Sequence, residues 1–213
     1  MFQVKNENNY AAASVSAREL FLSHDQEAMI RIFSLEADET YLYLNCVSAP
    51  YRIRRKTGAV ESKRYGGWKE AAFNDVMTIY DMLCNPNGRP ALTGRWISVS
   101  EMNRLKSGAK TLGSGLNTKW ENFYRGKAEQ LSAACQALGG RRETVGDVAY
   151  TLPVFDWMSV YFQFWDGDEE FLPQIRFLWD EATPDYLHFE TTFYATDFIL
   201  DCLRELVERE ETP

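Results

Sequence analysis

Histidine is almost missing from this chain: His24 and His188 are the only two among 213 residues. A metal site built on imidazoles is thereby excluded, and a Ser–His or Cys–His pair has only two bases to draw on. His24 lies in a stretch with helix-capping spacing, and His188 sits between Leu187 and Phe189, so both read as structural residues. Cysteine is scarce too. Cys46, Cys84, Cys135 and Cys202 are far apart, and no C-x-x-C pair exists to anchor zinc or an iron–sulfur cluster. Long apolar runs are absent. The strongest, 158–165, is interrupted by Ser159 and Gln163, whereas a spanning helix needs about 20 apolar residues. The first nine residues show no apolar core of a secretory signal. The expected setting is the cytoplasm, with four reduced thiols, a soluble chain and no membrane partner.

Phosphate-cradling glycine motifs also fail. Ser107-Gly108-Ala109-Lys110-Thr111 lacks the first glycine and the G-K junction of a P-loop. Gly113-Ser114-Gly115 is followed by Thr118 where a dinucleotide fingerprint needs glycine. No G-x-S-x-G elbow occurs. No cofactor can therefore be named. The net charge is −8, with +4 over residues 1–130 and −12 over 131–213. An acidic total argues against nucleic acid as a partner, since phosphate affinity comes from neutralising cations.

Large rings are plentiful: 6 Trp, 11 Tyr and 13 Phe supply a core that needs no staple. Helical spacing appears over 10–22, then to about Phe33 after a Ser23…Gln26 capping box, over 69–84, and over 120–138 up to the Gly139-Gly140 stop. Period-2 alternation marks strands at 40–47, 51–55 and 59–62, with Pro50 and Thr57-Gly58 as turns. A short strand is expected at 96–99 and a flexible loop at 106–115. Further strands fall at 148–152, 158–165 and 174–179, the last two joined through the Asp166-Gly167 turn signal. Large residues on both faces put 158–165 at the centre of the sheet. A closing helix begins near Glu190, with Ala195, Ile199, Cys202 and Leu206 as its buried stripe. No linker or repeat divides the chain. The expected fold is a single α+β domain, 1–213, with helices packed on an antiparallel sheet that ends in a C-terminal hairpin and closing helix.

Two constellations could carry chemistry. Asp166, Asp168, Glu169 and Glu170 crowd one hairpin turn and could hold a hard cation, although the pattern is not an EF-hand. As a plain solvated turn the same acids keep a hydrophobic hairpin in solution. Arg52, Arg54, Arg55, Lys63 and Arg64 form the basic counterpart. Arg52 and Arg54 share one strand face and can grip one anion, or they can simply guard an exposed sheet edge.

The last third carries a resemblance. It lies in Leu138-Gly139-Gly140, Gly146-Asp147 and Leu152-Pro153, in Phe164-Trp165-Asp166-Gly167-Asp168-Glu169-Glu170-Phe171-Leu172-Pro173, and in Phe177-Leu178-Trp179-Asp180 followed by Tyr186-Leu187. These resemble a domain family of unknown function found in bacteria and archaea, in which the stretches read roughly W-x-G-D-E-E-F-P, L-F-D and Y-L-P. Leu92-Thr93-Gly94-Arg95-Trp96-Ile97-Ser98 is similar to another family segment. The family often has a histidine in its central helix, where this chain reads Met77-Thr78-Ile79-Tyr80-Asp81-Met82-Leu83. Some relatives carry an added cysteine-rich iron–sulfur segment, absent here. The resemblance implies one compact bacterial or archaeal domain and supplies no reaction.

Three functional readings follow. The first is a non-catalytic binding or accessory module with a protein partner, favoured because no acid–base or nucleophile set is visible. The second is a pocket for an anionic small molecule or cofactor at the arginine cluster. The third is a divalent-metal enzyme built on the acidic hairpin.

Overall fold

The computed structural model describes residues 3–64, 66–102 and 118–210. The expected loop over 106–115 lies outside them. Ten strands form one sheet in which every pairing is antiparallel: β1 (Glu36–Ala37), β2 (Tyr41–Cys46), β3 (Ala49–Arg54), β4 (Val60–Ser62), β5 (Lys69–Glu70), β6 (Trp96–Ser98), β7 (Arg141–Arg142), β8 (Val148–Phe155), β9 (Met158–Trp165) and β10 (Gln174–Asp180). Their order is β5-β4-β3-β2-β8-β9-β10-β6, with β1 beside β2 and β7 beside β8. The helices are α1 (Gln3–Ser23), α2 (Gln26–Phe33), α3 (Phe73–Cys84), α4 (Thr118–Tyr124), α5 (Ala128–Ala137) and α6 (Phe189–Glu210). The fold is the α+β arrangement read from the sequence, with its C-terminal hairpin β9–β10 and closing helix α6.

Helix α6 packs on both α3 and α5, and these helices cover one face of the sheet. The contacts follow the alternation of the strands. Tyr51 of β3 meets Phe198 of α6 edge-on, Tyr124 of α4 meets Phe164 of β9, and Tyr150 of β8 bonds Ser132 and Gln136 of α5. β9 is an interior strand between β8 and β10, though the midpoint of the order falls between β2 and β8. Both of its faces are covered: Val160, Phe162 and Phe164 are fully buried on one side, and Tyr161 and Gln163 are buried on the other.

Several boundaries differ from the local reading for identifiable reasons. Helix α2 is capped by Asp25, whose Oδ1 accepts from Ala28 N, while Ser23 Oγ turns back to Leu20 O and Gln26 donates to Arg55 O. The β2–β3 turn is Val47-Ser48, both at positive φ, and Pro50 lies inside β3. Positive φ at both central positions is the type I′ form of the two-residue hairpin turn, one of the two whose twist matches the strands, and tertiary bonds hold it here without glycine. Val47 N donates to Val154 O, and Ser48 Oγ donates to Leu138 O. Residues 69–70 pair as β5, so α3 begins only at Phe73. The expected helix 120–138 is two helices, α4 and α5, because Gly126 takes φ +72° between them.

All four cysteines are buried and free. Burial raises each thiol, that of Cys84 to about 12. A thiol held this far up is protonated and inert near neutrality. An aromatic disulfide reagent at pH 8 is expected to react with none of them promptly in the native protein and with four in denaturant. Fewer than four in freshly purified, denatured protein would show a pairing that the fold does not contain.

Candidate anion-binding cleft

The basic segment is divided by the pleat of β3. Arg52 and Arg54 do share a face, as the alternation requires, and it is the outer face. Both are engaged by neighbouring side chains. The Arg52 guanidinium lies between the rings of Tyr41 (4.2 Å) and Trp68 (4.4 Å), and its Nε donates to Glu61 at 2.6 Å. Arg54 donates to the Tyr41 hydroxyl at 2.5 Å. Arg55 ties α2 to the sheet through Gln26, Glu27 and the Asp38 carbonyl. The acids paired with Arg52 and Arg55, Glu61 and Glu27, are local and do not come from 166–170, and Arg54 has no ion pair among the described residues.

Lys63 and Arg64 follow β4 and reach a different place. Together with the Val47-Ser48 turn, the end of α5 at Leu138 and the last turns of α6, they line a cleft of about 240 Å³. Arg209, Glu205 and Cys202 complete its polar lining, and Pro50, Leu138 and Leu206 give it apolar walls. Arg64 is held from below. Its Nη2 donates to the Tyr51 hydroxyl at 2.7 Å and lies 3.4 Å from Asp75, while its guanidinium stacks over Phe198 at 4.5 Å. Asp75 is buried and also accepts from Tyr51 at 2.7 Å. Burial lifts the Asp75 carboxyl above the usual range, while Tyr51 and Arg64 pull it down. Glu205 lies 4.0 Å from Arg204. Lys63 and Arg209, by contrast, pair with no carboxylate among the described residues. The cleft therefore carries uncompensated positive charge at its rim.

The acidic hairpin is built differently. Asp168 Oδ1 accepts from the backbone N–H of Glu170 and Phe171, Asp166 Oδ1 accepts from Gly126 N, and Asp147 Oδ2 accepts from Asp166 N. These bonds hold Asp168 below the ordinary carboxylate range. Glu169 and Glu170 stand exposed beside them. Among the described residues, no three His, Cys, Asp or Glu side chains are grouped to hold a metal ion. Another concavity, of about 250 Å³, lies at the β7–β8 turn and mixes Arg142 with Glu143 and Asp147.

The sequence of this fold matches the family described as Domain of unknown function (DUF3786) over residues 25–201. The chain belongs to that family. The DUF3786 match begins just after α1 and ends within α6, before Glu205 and Arg209. No curated protein and no solved structure matches the chain. Two polar residues within the matched range have structural work to do. Asp180, buried, accepts from the N–H groups of Thr93, Gly94 and Ala182 and so fastens the strip leading into β6. His188 marks the start of α6, where its backbone N–H and ring both bond Asp81. Sequence reasoning missed Asp75, Tyr51 and Arg209 as neighbours of the basic segment. Arg209 stands in a stretch whose net charge is strongly negative, and Asp75 reads as one acid in a helical first turn.

Among the described residues, no helix is long and apolar enough to cross a membrane.

Proposed function

We propose that this protein is a non-catalytic binding module whose cleft between the β2–β3 turn and the end of α6 takes a small anionic group, a phosphate or a carboxylate. The observation that supports the reading is the convergence of Lys63, Arg64 and Arg209 on one concavity in which Lys63 and Arg209 keep their charge uncompensated. Arg64, anchored by Tyr51 and Asp75, presents a guanidinium in a fixed direction, which lowers the cost of ordering it around an anion. The volume admits one such group or one large side chain, not a drug-sized ligand, which takes about 300–1,000 Å³.

Catalysis is the weaker reading, because the chemistry at the cleft is inert. Of the nucleophiles that line it, Cys202 has its thiol held protonated by burial and Ser48 has its hydroxyl engaged with the Leu138 carbonyl. His188 stands at the opposite end of α6 from Arg209, roughly 30 Å away at about 1.5 Å per helical residue.

Inorganic phosphate or a carboxylate titrated into the protein is expected to raise the melting temperature by mass action, about 2.7 kcal/mol at a hundred times the dissociation constant. Arg209→Ala and Lys63→Ala should abolish that gain and leave the unliganded melt unchanged, because both side chains are exposed. No shift with any member of a panel of phosphates and carboxylates would defeat the reading.

A further inference from the structure

The loop joining β9 to β10 carries the two most exposed large apolar side chains among the described residues. Phe171 is 68% and Leu172 is 74% exposed. They do not dangle on a loose strand. Asp168 N donates to Phe171 O at 2.9 Å, and the Asp168 carboxylate receives Glu170 N and Phe171 N. The loop closes so tightly over Gly167 that a Cβ there would lie 2.6 Å from Phe171 O. Asp166 fastens the base to Gly126. The result is an ordered knob, apolar at its tip and skirted by Asp166, Asp168, Glu169 and Glu170. Fixed exposure of two large apolar groups has a standing cost in water, which a partner surface removes.

The same chain carries a receptor of matching chemistry. The cleft has apolar walls at Pro50, Leu138 and Leu206, and cations at Lys63, Arg64 and Arg209. Knob and cleft stand at opposite ends of α5: Gly126, just before that helix, holds the knob, and Ala137 and Leu138, at its end, line the cleft. Ten helical residues separate them by roughly 15 Å along the axis, so one molecule's knob cannot fill its own cleft. We infer that the Phe171–Leu172 knob of one copy docks in the Lys63–Arg64–Arg209 cleft of a second copy. This deepens the cleft reading above and rests on it. Charge complementarity selects the occupant: an acidic collar around an apolar tip meets a basic rim around an apolar floor. Knob and cleft are unlike surfaces, so two copies close as a dimer if both pairs engage about a two-fold axis, and the contact otherwise runs head-to-tail and grows. With so small a patch the association is weak and concentration-dependent.

Sedimentation of the purified full-length protein over a wide concentration range tests this. The average mass should climb with concentration above that of one chain, and should fall back at high salt, where the charges are screened. Leu172→Ser should hold the protein monomeric with an unchanged melt. Glu170→Arg and Arg209→Glu should each be monomeric alone and should associate when mixed, because each then meets its opposite charge. A mass that stays at one chain at every concentration, or wild-type association by Leu172→Ser, would overturn the inference. If phosphate still stabilises a protein that never associates, this inference fails alone. If phosphate has no effect either, the cleft reading fails with it.

Discussion

Replacing Asp75 by alanine is expected to cost about 3–5 kcal/mol, the range for removing one partner of a buried ion pair. The Asp75 side chain is 7% exposed and that of Arg64 15%, so water cannot substitute for the lost carboxylate. The deletion takes a partner from two groups at once: the Tyr51 hydroxyl loses its acceptor, and the Arg64 guanidinium loses the Asp75 carboxylate. Asp75→Asn should cost less, because its amide oxygen still accepts from Tyr51. The pH dependence has a defined sign. Burial raises the folded carboxyl above its ordinary value, so the folded state holds this proton more tightly than the unfolded chain does. The stability this provides is complete below the ordinary carboxylate range and is lost as pH rises through the folded value. Wild type should therefore lose ground to Asp75→Asn between acid and neutral pH. Chemical denaturation of both variants across that window checks the sign. A wild-type advantage that grows with pH would show that the ion pair outweighs the burial.

Phe162→Ala is expected to lower stability by about 3–5 kcal/mol through lost burial and the cavity left behind. Phe162 is fully buried in β9, packs on Phe177 across the β9–β10 ladder at 5.3 Å, and stands opposite Tyr150 on β8. A strand held from both sides cannot collapse onto the gap, because its neighbours are fixed by their own hydrogen bonds. The melting temperature should fall by roughly 2–4 °C per kcal/mol for a chain of this size, about 6–20 °C in all. An unchanged melt would remove Phe162 from the core.

How much of this was legible in advance depended on whether the signal was local. The alternation over 158–165 is a property of eight consecutive residues, and β9 occupies those residues. The same holds for the stripe Ala195, Ile199, Cys202 and Leu206 on α6, of which the first three are buried and Leu206 is partly buried against the same core. The split of 120–138 was missed because Gly126 sits inside an otherwise helical pattern, and a single glycine there costs only about 1 kcal/mol in an isolated helix. It becomes a break because Asp166 captures its N–H from 40 residues away. Val47-Ser48 was missed for the same kind of reason: their positive φ is imposed by bonds to Val154 and Leu138.

The candidate site divides along the same line. Sequence by itself determined the α+β class, the family, the face shared by Arg52 and Arg54, and the acidity of the β9–β10 loop, because each is carried by residue type and short-range period. The tertiary structure alone decided which charges remain available. It spent Arg52 on Glu61, Tyr41 and Trp68, and Arg55 on Glu27, and it folded Arg64 over Asp75. It also carried Arg209 across most of the chain to stand beside Lys63. The physical reason is that an ion pair or a cleft joins groups through space, and a distance between remote residues is fixed only when the core that separates them has packed.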